Sequence, residues 1–530
     1  MLAIGMWVLI YIMQMHRMRG IEMQRKCGVL MPVTSLPSKY GIGCFSKEAY
    51  EFVDFLAKAG QSYWQILPLG QTGYGDSPYQ SFSTFAGNPY FIDIDELIKA
   101  GYLTKEDAEK VEFGDNAEYI DYEKIYYGRF PLLKKAYQNS PFALELSEKW
   151  ADEVYDEERK SFEAFIEEKA GWLPDYALYS AIKNANDGKS YIEWPDELRL
   201  HKPEALETAK AELADEVRFY EFQQYLFAGQ WKALKSYANE KGIQIIGDIP
   251  IYVAFDSADT WSHPELFKFD EKGYPTVVAG CPPDAFSATG QLWGNPIYRW
   301  DYHRQSGYAW WISRMANCFD MYDVIRIDHF RGFDEYYAIP YGDPTAEFGK
   351  WEQGPGYGLF EAIQNALGER QVIAEDLGFI TPSVRELVNQ TGFPNMKVLQ
   401  FAFDSSNPGQ GDYLTHNYPT NCVVYTGTHD NETMRGWYNH VSEADREYAA
   451  EYAGVTSEET AAWSFIRLAF QSVADTCIIP MQDYLNLGDE ARINEPSTLG
   501  YNWKWRMLLG AYGEDLAKRM KRLAQIFGRL

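Results

Sequence analysis

The chain has 530 residues, 46% of them hydrophobic, enough for one large α/β barrel with insertions or for several smaller domains. A formal net charge of −27 repels nucleic-acid phosphates and offers no basic patch to an anionic membrane, so neither is an expected partner. A neutral substrate suits this charge better, and 39 Tyr and 16 Trp could supply rings that stack on sugars, although most such side chains pack in cores.

Ala3 to Met13 is an apolar run followed by His16, Arg17 and Arg19. It is too short to span a bilayer, has no basic region in front and shows no clear small-residue cleavage site. Residues 1–26 are therefore expected to be a disordered or leader-like extension, with the fold occupying 27–530. The cysteines, Cys27, Cys44, Cys281, Cys318, Cys422 and Cys477, contain no CxxC pair. They predict reduced thiols in a cytoplasmic protein, and no metal site.

From Cys27 onward, short apolar runs alternate with amphipathic segments, the pattern of parallel strands and crossover helices. Strands are predicted at Gly28–Leu36, Ser62–Leu69, Ile243–Val253, Tyr322–Ile327, Gln371–Ala374, Met396–Phe403, Cys422–Thr426 and Thr476–Met481, with a helix over Glu48–Ala59. That is the strand number of a (β/α)8 TIM barrel. Several runs end in charge, at Asp248, Asp328-His329, Glu375-Asp376 and His429-Asp430, and a barrel collects such ends at one mouth. A doubly wound sheet is the rival, but it would not so naturally gather four distant strand ends.

The spacing is uneven. Leu103 to Glu221 is rich in Glu, Lys and Ala and predicts an inserted, mostly helical subdomain. Asp256 to Arg304, rich in Gly, Pro and aromatics, predicts an insertion that covers the mouth. After the eighth strand only a loop and the helix Glu514–Phe527 are expected, which leaves no room for a C-terminal β-sandwich.

Clustered carboxylates suit glycosidic chemistry, which needs one carboxylate at the anomeric carbon and one protonated carboxyl for the departing oxygen. Asp328 suits the first role, because Arg326, two residues earlier on the same strand, faces the same way and can hold it ionised. Glu375 suits the second, since burial and neighbouring negative charge raise a carboxyl's pKa. Asp430 could bond sugar hydroxyls during ring distortion, and His329 and His429 could donate to hydroxyls. A metal held by the two histidines and the aspartates lacks the spacing of known ligand sets.

The segments Arg326-Ile327-Asp328-His329-Phe330, Ala374-Glu375-Asp376-Leu377-Gly378 and Thr428-His429-Asp430-Asn431 resemble the catalytic regions of the α-amylase clan. Further segments resemble its 4-α-glucanotransferase branch, the amylomaltases of glycoside hydrolase family 77: Gly73 to Gln80, Phe85 to Pro89, Gly247 to Pro250, Pro282-Pro283-Asp284, Leu292 to Pro296, Leu399 to Asp404 and Pro480 to Arg506. The resemblance covers nearly everything from Gly28 to Arg506.

It implies a retaining transfer within α-1,4-glucans and maltooligosaccharides, with glucose or maltose as acceptor and no cofactor. Asp328 would be the nucleophile, Glu375 the acid/base and Asp430 the transition-state stabiliser. Tyr74, Ser77, Tyr79, Asp248, Asp284, Trp293, Arg326, His329, Phe401, His429 and Asn502 would line the substrate. Retention further implies that the carboxyls of Asp328 and Glu375 lie roughly 5 to 5.5 Å apart. No calcium-binding loop of the D-x-[DN] kind stands out, in keeping with a metal-independent enzyme. A hydrolase of the same clan, or a glucan-binding protein without catalysis, are the alternatives.

Overall fold

The computed structural model describes residues 25–530 apart from 74, 146–147, 151, 284–286, 379 and 458–459, and only the backbone of 148. The expected extension therefore lies almost wholly outside the described residues.

Twelve strands are present among them: β1 Lys26–Leu30, β2 Tyr63–Gln65, β3 Gln244–Pro250, β4 Val277–Cys281, β5 Gln291–Pro296, β6 Val324–Asp328, β7 Glu335–Pro340, β8 Lys350–Gln353, β9 Val372–Ala374, β10 Asn395–Val398, β11 Cys422–Tyr425 and β12 Thr476–Pro480. Eight of them close a parallel barrel in the order β1-β12-β11-β10-β9-β6-β3-β2, the predicted TIM barrel, and each overlaps one of the eight predicted runs.

The strands read as continuous apolar runs because both faces are buried: outward residues pack on the helices, and inward ones fill the barrel. Leu30, Tyr63, Ile246, Val324, Ile373, Met396, Val423 and Ile478 form that inner cluster. With side chains alternating along a strand, the residue two further on points inward one layer higher. Those residues include Gln65, Asp248, Arg326 and Tyr425, so the apolar plug gives way to a polar floor at the carboxyl end. Within that floor the Tyr425 hydroxyl donates to Gln65 Oε1 at 2.9 Å.

Four strands, β1, β2, β3 and β10, stop three or more residues before their predicted runs do. After β1 the backbone turns into a 3-10 helix at Val33–Ser35, and after β10 into another at Leu399–Phe401. Both turns start where the chain leaves the ladder at the mouth, and the following apolar residues Leu36 and Phe403 are buried outside the sheet.

Between β2 and β3 the chain forms helices, among them Tyr122–Gln138, Asp156–Glu168, Leu173–Ala185 and Ala214–Glu240. The last is one unbroken helix through the boundary placed at Glu221, because its buried positions Phe219, Phe222, Phe227, Trp231 and Leu234 keep helical spacing throughout. The Asp256–Arg304 insertion is more ordered than a covering loop. Its strands β4 and β5 join β7 and β8 in an antiparallel sheet of order β5-β4-β7-β8.

At the opposite end, Arg529 is fully buried and donates to the carbonyls of Lys26, Phe470, Ser472, Ala474 and Asp475, tying the helix Glu514–Ile526 under the barrel.

Candidate active site

The register of the barrel brings the charged residues together. Asp248 on β3 is the register partner of Arg326 on β6, and Ile327 is the partner of Ala374, which sets Glu375 beside Asp328. The backbone of Glu375 is bonded on both sides of Asp328: its N–H donates to Ile327 O at 3.1 Å, and its carbonyl accepts from Phe330 N at 3.0 Å.

Arg326 is the shared cation. Its Nη1 lies 2.7 and 2.6 Å from the two oxygens of Asp248, and its Nη2 lies 3.0 Å from Asp328 Oδ1. The Tyr79 hydroxyl donates to Asp248 Oδ2 at 2.8 Å, completing a chain from Tyr79 to Asp328. The sequence reading places Asp248 and Arg326 among the substrate contacts. In the structure both are buried: Arg326 is bonded to Asp328, and Asp248 to Tyr79.

Asp328 itself keeps 30% of its side chain open, which leaves an oxygen available to a ligand. Its surroundings push its pKa up to about 6 by burial, with the Arg326 charge the largest opposing influence. Glu375 is pushed up to about 8, first by burial and then by the Asp328 charge. Two backbone donors oppose that rise, Leu377 N at 2.8 Å to Oε1 and His329 N at 2.6 Å to Oε2. Of the two carboxyls, Glu375 is raised further above the ordinary carboxylate range than Asp328.

Asp430 follows β11. Its Oδ1 accepts from Asn494 Nδ2 at 2.7 Å and lies 3.3 Å from His429 Nε2. His429 is buried, its ring stacked on Tyr79 at 5.2 Å with Trp503 at 5.9 Å. Trp293, from β5, meets the His329 ring edge-on at 4.8 Å, so the second sheet reaches the mouth beside Asp328. His329 is neutral, its pKa lowered to about 3 by burial and then by Arg331.

Phe401 stands 47% exposed past β10, against Tyr413. Ser77 accepts from Tyr79 N at 3.3 Å. Asn502 uses its amide within its own turn, accepting from Glu495 N at 2.9 Å and donating to Thr498 O at 2.9 Å. Tyr74 and Asp284 lie outside the described residues.

This arrangement occurs in a chain whose residues 31–510 match the family model described as 4-alpha-glucanotransferase. The chain belongs to the 4-alpha-glucanotransferases of glycoside hydrolase family 77.

Members of that family include a 4-alpha-glucanotransferase of Clostridium butyricum, 51% identical over 94% of this chain and 100% of that protein. One from Thermus thermophilus is 47% identical over 96% and 100%. Among solved structures, an amylomaltase from Streptococcus agalactiae in complex with acarbose aligns at TM-score 0.90 and 42% identity, covering 95% of this chain and 99% of that one. Within this glucanotransferase fold, sequence reasoning missed Asn494, Arg492 and Asp483 as partners of the Asp430 loop. All three lie between Pro480 and Arg506, within the stretch that carries the family resemblance, but nothing in residue type or period ties any of them to Asp430.

Proposed function

We propose that the protein transfers segments of α-1,4-glucans between maltooligosaccharides by a retaining double displacement at Asp328, Glu375 and Asp430. The observation that carries this reading is the placing of Asp328 and Glu375 side by side at the ends of β6 and β9, with Arg326 bonded to Asp328 and His329 N–H to Glu375, in a chain that matches its family over residues 31–510.

In the first half-reaction, an Asp328 oxygen attacks the anomeric carbon. The glycosidic C–O bond breaks as the Glu375 proton passes to the leaving oxygen. The Asp328 carboxylate then becomes a neutral ester. That removes the charge which, after burial, most raises Glu375, so the newly formed carboxylate is easier to keep. In the second half-reaction Glu375 takes the proton of the acceptor's 4-hydroxyl, the oxygen displaces Asp328, and a new α-1,4 bond forms. Asp430 accepts from sugar hydroxyls as the ring flattens.

Transfer requires that water stay away from the ester until a sugar arrives. Trp293 on β5, edge-on to His329, stands where it can shield that face, and the exposed Phe401 and half-buried Tyr79 offer rings to sugars. Glucose and maltose fit as acceptors. The cysteines are all free thiols, in keeping with a cytoplasmic setting, and no helix of the described residues is long and apolar enough to cross a membrane.

Incubation with maltotriose tests the reading. Transfer yields glucose and a ladder of longer maltooligosaccharides. Shorter products alone mean hydrolysis, and unchanged substrate means binding without catalysis.

A further inference from the structure

The loop that carries Asp430 is held by a segment some 60 residues later in the chain. Asp483, buried at 1% exposure, accepts from Thr426 Oγ1 at 2.5 Å and from Met434 N at 2.7 Å, so one carboxylate clamps both ends of the loop. Asp489 Oδ1 accepts from Thr433 N at 3.1 Å. Arg492 Nη2 donates to the backbone carbonyl of Asp430 at 2.9 Å, and its Nε donates to Asn494 O at 2.9 Å. Asn494 N donates to His429 O at 3.1 Å. Only one member of this frame touches the working carboxylate: Asn494, through Nδ2 to Asp430 Oδ1 at 2.7 Å.

We infer that Asn494 is a positioning residue for the transfer reaction, orienting Asp430 so that Oδ1 is occupied by the amide and Oδ2 is left for the sugar. The inference rests on the role proposed for Asp430. It follows from geometry. Arg492 fixes the Asp430 main chain but leaves its side-chain torsions free, and Asp483 acts at the loop's ends. His429 Nε2, at 3.3 Å from Oδ1, approaches the same oxygen as Asn494, so both constraints fall on one side of the carboxylate. A carboxylate held through one oxygen presents the other in a single direction, and a misplacement of about 1 Å at a reacting centre can cost roughly 10²-fold in rate.

Asparagine also brings a chemical property that aspartate lacks: its amide donates at every pH and does not exchange a proton with its partner. An aspartate at 494 would set two carboxylates against each other. It could donate to Asp430 only when it carries a proton itself, and repulsion between the two makes that proton easier to take up.

Asn494→Ala and Asn494→Asp test this in the full-length protein, with melting temperature and maltotriose kinetics measured together. Asn494→Ala is expected to lower kcat by roughly 10²-fold with KM within about twofold and with melting within a few degrees of the parent. Asn494→Asp is expected to be slower than Asn494→Ala at neutral pH. Its rate relative to the parent should rise as pH falls, a recovery that a merely structural defect would not show. Asn494→Ala in an Asp430→Asn background should cost little more. An Asn494→Ala enzyme with parental kcat, or an Asn494→Asp deficit independent of pH, overturns the inference while leaving the role of Asp430 intact. Full activity in Asp430→Asn alone would instead overturn that role.

Discussion

The backbone N–H of His329 donates to Glu375 Oε2 at 2.6 Å, so the residue beside the proposed nucleophile holds the proposed acid. It can do so because His329 turns out of β6 with φ of +53°, in the left-handed region. A β-branched residue is poorly suited to that conformation and glycine is well suited. His329→Val and His329→Gly both lose the imidazole, so their difference isolates the backbone. His329→Gly is expected to be the more stable of the two by about 1–3 kcal/mol, read from denaturation.

The pH profile of kcat/KM should be a bell. Asp328 attacks only when ionised, so the rate falls as pH drops through about 6. Glu375 protonates the leaving oxygen only when protonated, so the rate falls as pH rises through about 8. Both groups are raised above ordinary carboxylate values, which places the whole bell higher than unperturbed carboxylates would. A profile that keeps rising well below pH 6 would contradict the assignment.

Arg326 has two carboxylates to satisfy, and Asp248 is fully buried. Among the described residues, Arg326→Met removes the only cation bonded to Asp248. It should destabilise the fold by about 3–5 kcal/mol, because an uncompensated buried charge remains. Adding Asp248→Asn should restore much of that stability without restoring transfer, since Asp328 still lacks its cation. Thermal melting and the maltotriose assay separate the two effects.

These residues also mark what was legible beforehand. The eight barrel strands were readable because burial on both faces makes apolar runs, and the carboxylates stood out because charge at the end of such a run is costly without a purpose. The bond between Arg326 and Asp328 followed from their spacing of two along a strand. That Arg326 sits closer to Asp248 did not, because it depends on the register between β3 and β6. The sheet of β5-β4-β7-β8 was hidden for the opposite reason from the barrel. β8 is mostly exposed and β5 mostly half-buried, so their composition resembles loop. Asn494 and Asp483 were invisible because isolated polar residues carry no periodicity, and their partners lie some 60 residues away.

The retaining mechanism stands or falls on a covalent ester at Asp328. In Glu375→Gln, a maltotriosyl fluoride donor needs no acid to expel its leaving group, while removal of the glycosyl group still lacks its base, so the intermediate should accumulate. Peptide mass spectrometry of the quenched, digested protein reads it directly. The expected result is one maltotriosyl unit on the peptide containing Asp328, absent in Glu375→Gln/Asp328→Asn. Donor consumed with no adduct, or an adduct on another carboxylate, would contradict it.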